Sequence, residues 1–235
     1  MTKNSISRVL VISPLELRHR YFIKELLKDR SIEVVSVIVD KSNSKLSIKK
    51  YFSFSRLLHT MLSVYELSTL GPVLSRSIPV CKVTSLADKR IISLTNELKP
   101  KLIIVYGGKV IPKSTLDGLS SPCINIHGSI LPGYRGLDSY WWALIEKNRH
   151  LMGYSIHFVE PGIDTGALIK VKPYQYSGQS ILKHFSWRVW IAEDSAYEIS
   201  HLLESQLLYS KGVIHLKAKS KYRSKIRLSD VLSRR

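Results

Sequence analysis

Three polar side chains in otherwise apolar surroundings carry the chemistry open to this sequence. Asn125 and His127 close the run Pro122-Cys123-Ile124-Asn125-Ile126-His127-Gly128, and Asp164 follows in Pro161-Gly162-Ile163-Asp164-Thr165-Gly166. A donating amide, an imidazole that titrates near neutrality and a carboxylate to position it are the parts of an acyl-transfer site. When an amine attacks a one-carbon acyl group, an oxyanion and a protonated nitrogen develop together. The Asn125 amide can donate to that oxyanion, a contribution of roughly 3 to 4 kcal/mol for one such donor. His127 can take the amine proton or, as imidazolium, stabilise the oxyanion. Asp164 can hold that ring in its productive state or relay the proton through a water.

The elements that must position these groups follow from the apolar pattern. Side chains alternate along a strand, so Ile124 and Ile126 face one side while Asn125 and His127 share the other. The loop Gly128-Ser129-Ile130-Leu131-Pro132-Gly133-Tyr134-Arg135-Gly136 then breaks the strand, which places the pair at the mouth of a sheet. Upstream, Arg8 to Pro14 reads as a buried first strand, Arg18 to Asp29 as an amphipathic helix with Phe22, Leu26 and Leu27 on one face, and Ile32 to Asp40 as a second strand. Val80 to Val83 is a short strand, Leu86 to Leu98 a helix ending before Pro100, and Leu102 to Tyr106 a strand buried on both faces. Downstream, Asp138 to Asn148 predicts a helix carrying Tyr140, Trp141, Trp142, Leu144 and Ile145, aromatics dense enough to read as core or interface rather than a ligand platform. Tyr154 to Val159 and Ala167 to Val171 flank the Asp164 loop as strands, and Ser180 to Leu208 is a long helix across the fold. Helices near Tyr51 to Leu62, a turn at Gly71-Pro72 and a basic hairpin from Val213 to Leu216 and Tyr222 to Leu228 complete the reading.

These elements predict an α/β chain with a Rossmann-like, mostly parallel sheet flanked by helices and a small C-terminal β-hairpin appendage. Residues 1–209 are expected to form the catalytic domain and 210–235 a basic hairpin or tail. The opening strand-helix-strand unit lacks the G-x-G-x-x-G turn of a dinucleotide site, so no nicotinamide cofactor is expected.

An Asn-x-His triplet alone is weak evidence, since most are surface or satisfied core polar groups. The joint pattern is more specific: Asn125, His127, Leu131-Pro132-Gly133-Tyr134-Arg135-Gly136, then Gly153-Tyr154-Ser155-Ile156-His157-Phe158-Val159 and Ile163-Asp164-Thr165-Gly166, in order and closely spaced. Together these resemble the catalytic region of the folate-dependent formyltransferases, most strongly from Leu102 to Ile169. The resemblance implies 10-formyltetrahydrofolate as formyl donor and Asn125, His127 and Asp164 as the catalytic three. It also implies a donor pocket around Gly108, Lys109, Val110 and Ile111 together with Glu160 and Ile163, where backbone groups usually read the pterin. Gly128 and Arg135 stand where the purine-pathway branch tends to have prolines, and Tyr134-Arg135-Gly136 is more similar to the tRNA and sugar branches. Methionyl-tRNA formyltransferase carries a sizeable second domain that 235 residues do not accommodate. The implied acceptor is therefore a nucleotide-linked amino sugar, used for example in bacterial surface polysaccharide. The alternatives are glycinamide ribonucleotide, an amino acid or methionyl-tRNA, and, more distantly, a basic RNA-binding protein on a catalytically dead formyltransferase fold.

The formal net charge is +18, with nine Lys or Arg against one acid between Lys211 and Arg235. Such a field steers anionic partners; a diphosphate-linked sugar and a folate are both anionic, and nucleic acid is not obligatory. Two cysteines without paired spacing, Cys81 and Cys123, argue against a disulfide framework, and the histidines form no ligand pair at zinc spacing, so no metal is expected. His157 reads as a satisfied structural histidine. The apolar run Val9 to Ile12 is too short for a membrane span or signal core, which predicts a cytoplasmic protein. A homodimer is expected, with an aromatic face around Trp187 and Trp190 as its interface.

Overall fold

Two apolar runs occupy the middle of the molecule because they are buried on both faces. Val9 to Ile12 and Leu102 to Tyr106 are all within the core, as parallel strands covered by helices on either side require. In a computed structural model, residues 6–41, 57, 60–61, 63–66, 78–175, 181–205 and 221–224 are described. Strands β1 (Ser7–Ile12), β2 (Ile32–Asp40), β3 (Val80–Val83), β4 (Leu102–Tyr106) and β5 (Cys123–His127) run parallel, and β7 (Gly153–Phe158) and β8 (Leu168–Pro173) close one edge antiparallel. The order β3-β2-β1-β4-β5-β7-β8 reverses direction between β1 and β4, the kind of switch point beside which α/β sheets bind ligands at their carboxyl ends.

Alternation along these strands sorts the core into two layers. Val9, Val11, Leu102, Ile104, Ile124 and Ile126 face α1 (Leu17–Leu26) and α5 (Ile181–Ser205), meeting Phe22, Ile23, Ile191 and Ile199. Leu10, Ile12, Ile103 and Val105 face the other way, toward α2 (Lys89–Leu98) and α3 (Lys113–Leu116), meeting Ile91 and Leu116. The Asp88 side chain caps α2 by accepting from the Arg90 N–H at 2.9 Å, and Lys99 ends it in the left-handed region at φ 46°.

A third cluster, Tyr134, Tyr140, Trp141, Trp142, Ala143 and Met152, lies under α4 (Ser139–Ile145) and the short strand β6 (Tyr134–Gly136). The predicted helix at Asp138 to Asn148 is thus three residues shorter at its end, and its tryptophans are core. Trp187 stacks on Tyr140 at 3.9 Å between ring centroids, and Trp190 packs on Tyr154 and Tyr174, so both rings contribute inside the fold. The C-terminal strand pair is present: β9 (Lys221–Arg223) lies parallel to β6. The other expected arm, 213–216, lies outside the described residues, as do the turn at 71–72 and most of the helices expected over 51–62. The long helix is continuous over Ile181–Ser205. Among the described residues no helix is long and apolar enough to cross a membrane.

Candidate active site

β5 carries its two polar residues to the carboxyl end of the sheet, with β4 on one side and β7 on the other. Register places Asn125 opposite His157 and His127 opposite Ser155. Because Ile124 and Ile126 are held in the core beneath α1 and α5, the intervening side chains of Asn125 and His127 are directed to the opposite face. Asp164 arrives from the loop between β7 and β8, at φ 51°, a left-handed conformation uncommon outside glycine and most tolerated by Asp and Asn.

That loop brings the carboxylate onto both residues. The Asn125 Nδ2 donates to Asp164 Oδ1 at 3.2 Å, and Asp164 Oδ2 lies 3.2 Å from His127 Nδ1. The backbone N–H of Gly136 donates to the same Oδ2 at 2.8 Å. On its far side, His127 Nε2 lies 2.8 Å from the carbonyl oxygen of Tyr134 and 3.1 Å from Ser129 Oγ. Ser129 Oγ in turn donates to the Tyr134 carbonyl at 2.9 Å. Both nitrogens of the His127 ring therefore face acceptors, so the ring's positive charge is stabilised from both sides once it takes up a second proton.

Burial and charge act in opposite directions on this cluster. Burial pushes His127 below its ordinary value, against the pull of the Asp164 carboxylate and the Tyr134 carbonyl. Burial alone would raise Asp164, but His127, His157 and the Gly136 N–H together outweigh it and hold the carboxyl down at about 2. Asp164 is thus ionised near neutrality, and the proton on the adjacent ring is the mobile one.

His157 is buried, as expected of a structural histidine, but it also faces this cluster. Its Nδ1 lies 2.7 Å from the Phe158 carbonyl, which can only accept, so the proton sits there and Nε2 accepts from Asn125 Nδ2 at 3.1 Å. Nε2 is also 3.5 Å from Asp164 Oδ1. The cross-strand register to Asn125 is the signal that would have found it, and register depends on pairing β5 with β7, which local alternation does not give.

The residues expected around the formyl donor fall on two loops beside Asp164. Gly108 (φ 101°), Lys109, Val110 and Ile111 follow β4, and Glu160 and Ile163 lie just before the aspartate. Ile111 and Val159, which adjoin these loops, both belong to the apolar cluster on the α2 side of the sheet. Val110 and Ile163 are exposed, and nothing stands within 4 Å of where a Gly108 side chain would project. Ile111 is buried, so only its backbone is available, and Lys109 Nζ lies 3.4 Å from Asp40.

Comparison with known proteins bears on this geometry. A sequence model described as Formyl transferase matches residues 8–197. Methionyl-tRNA formyltransferase of Campylobacter jejuni is 40% identical over 95 residues, 40% of this chain but 30% of that protein's length. A sugar N-formyltransferase from Shewanella superposes with a TM-score of 0.59 at 17% identity, covering 93% of this chain and 76% of that one. Glycinamide ribonucleotide transformylase 1 from Symbiobacterium toebii gives 0.59 at 17% identity, covering 92% and 96%. The seven-stranded sheet and its flanking helices are thus shared across enzymes named for different acceptors. The family match runs through β1, β4, β5 and the Asp164 loop alike, and on that extent the chain belongs to the formyl transferase family.

Proposed function

We propose that this protein transfers a formyl group from 10-formyltetrahydrofolate to the primary amine of a nucleotide-linked amino sugar. The observation that carries the formyl-transfer reading is the carboxylate of Asp164 bonded at once to Asn125, His127 and the Gly136 N–H. In this reading the acceptor amine attacks the formyl carbon, and negative charge grows on the formyl oxygen. Asn125 Nδ2 meets that oxygen by exchanging its bond to His157 for the substrate, while its bond to Asp164 keeps the amide oriented. His127 takes the amine proton and, as the cation, stabilises the oxyanion; when the bond from the formyl carbon to the donor nitrogen breaks, that nitrogen recovers the proton by way of Asp164. The donor would rest against the backbone of Gly108 to Ile111 and the loop from Glu160 to Ile163.

The sugar-nucleotide acceptor is supported by the large positive charge and the Tyr134-Arg135-Gly136 sequence. A cytoplasmic homodimer serving surface-polysaccharide synthesis is the setting it implies. A second reading, formylation of methionyl-tRNA, is favoured by the 40% identity over 95 residues to enzymes of that name.

One assay decides among these. The protein is incubated with 10-formyltetrahydrofolate and a panel of amines: nucleotide-linked 3-amino and 4-amino sugars, free amino sugars, glycinamide ribonucleotide and methionyl-tRNA. Mass spectrometry then reads the gain of one formyl group. Product from one nucleotide sugar, lost in His127→Asn with folate binding intact, establishes the reading. Product from methionyl-tRNA alone moves the acceptor to the second reading, and no product from any amine while folate binds removes the proposed activity.

A further inference from the structure

The C-terminal strand β9 lies beyond the region matched by the family, which ends at residue 197, yet it is paired to the loop that shapes the catalytic cluster. In an extended strand the backbone groups of successive residues point to opposite edges. Along β6, the Tyr134 carbonyl and the Gly136 N–H point toward His127 and Asp164. The opposite edge, including the N–H of Leu137, which donates to the Arg223 carbonyl at 3.1 Å, points to β9. One three-residue strand thus touches the catalytic cluster on one edge and the C-terminal segment on the other.

The side chain of Arg223 fixes this pairing. Its guanidinium pairs with the Glu146 carboxylate, which is 6% exposed, and lies 4.9 Å from the Trp142 ring centroid and 5.9 Å from that of Tyr134. Glu146 accepts from the Tyr134 hydroxyl, which also accepts from Asn148 Nδ2 at 2.6 Å. Trp142 Nε1 donates to the Ser224 carbonyl at 2.9 Å. Gly136 records the closeness of the contact: at φ 92°, a Cβ there would stand 2.3 Å from the Arg223 carbonyl oxygen. A buried carboxylate, two aromatic faces and a side-chain-free backbone all converge on one arginine from the end of the chain.

We propose that Arg223 is a positioning residue for formyl transfer, holding β6 at the register in which Tyr134 and Gly136 fix His127 and Asp164. The proposal rests on the catalytic reading above, and the test separates the two. Arg223→Ala should lower kcat by about 100-fold, the effect of a displacement near 1 Å in a catalytic group, with both KM values within about threefold of the parent. Arg223→Lys should restore part of the loss, since it keeps the charge but not the planar contact. Removing Arg223 alone leaves Glu146 buried without its cation, so the double variant Arg223→Met with Glu146→Gln keeps the fold intact and should show the same fall in kcat. The second readout needs no substrate: the Gly136 amide proton and the His127 ring nitrogens, followed by NMR, should shift in every variant, and the Gly136 amide should exchange faster with solvent. Variants that lose only melting temperature, with kcat and these resonances unchanged, would overturn the positioning role. If the parent transfers no formyl group at all, the catalytic reading fails, and the NMR arm still decides whether β9 holds the cluster.

Discussion

Asp164 receives two side-chain contacts from β5 and a backbone N–H from β6, so its ionisation is tied to the fold. A carboxyl lowered from 3.8 to about 2 contributes stability that is fully present above 3.8 and disappears as pH falls toward 2. The size is on the order of 2 kcal/mol for a group this well buried. Asp164→Asn should therefore be less stable than the parent at neutral pH, and the difference should shrink on acidification from about pH 5 toward about pH 2, as read by chemical denaturation. A gap that stays constant with pH would mean that the carboxylate is not the group held by these contacts. At this scale the sequence was informative about types and poor about neighbours. Asn125, His127 and Asp164 stand out by residue type and spacing, whereas His157 looked structural because its contact with Asn125 comes from strand register across 32 residues.

At the scale of elements, local pattern marks where strands and helices lie but not where each one ends: the helix expected over 86–98 begins at Lys89, and the one expected over 138–148 stops at Ile145. β1 and β4 hold the apolar runs Val9 to Ile12 and Leu102 to Tyr106, β2 interleaves Glu33 and Ser36 with apolar residues, and α2 closes before Pro100. β6 escaped notice because three residues carry no period, and its partner β9 lies more than eighty residues away. The four-residue helix α3 is likewise too short for an amphipathic signal. The β6 and β9 pair nevertheless has a sequence cause in Gly136, whose left-handed φ of 92° and missing side chain admit the Arg223 backbone. Gly136→Ala should cost roughly 1 to 3 kcal/mol for the strained conformation, with added cost from displacing β9. Because the Gly136 N–H also holds Asp164, turnover should fall along with the melting temperature. Calorimetry and steady-state kinetics on the same preparation check both, and a stable variant with full turnover would show that β6 tolerates separation from β9.

Over the whole molecule, two electrostatic features act at distances beyond the site. His19 is fully buried on α1 against Tyr106, and neither ring nitrogen has a hydrogen-bond partner among the described residues; Glu16 is 3.9 Å away. Burial, reinforced by Arg18, lowers its pKa well below 6.5, so the unfolded chain binds a proton that the folded one refuses. Stability should fall as pH drops below about 6.5, and His19→Leu should flatten that slope in denaturant titrations; an unchanged slope would assign the acid sensitivity elsewhere. The second feature is the net charge of +18, which should draw an anionic acceptor toward the protein. Raising ionic strength from about 0.1 M to about 1 M shortens the screening length from about 10 Å to about 3 Å, so attraction that acts beyond direct contact is lost. For a nucleotide-linked amino sugar, KM should then rise severalfold while kcat holds, and a free amino sugar, which lacks the diphosphate, should show no such rise. A tRNA acceptor contacts many phosphates and releases a counterion at each, so its affinity would fall by orders of magnitude over the same range. The slope of log KM against log salt therefore measures how many phosphates the acceptor brings to this positively charged surface, and a shallow slope identifies the small acceptor independently of which sugar it carries.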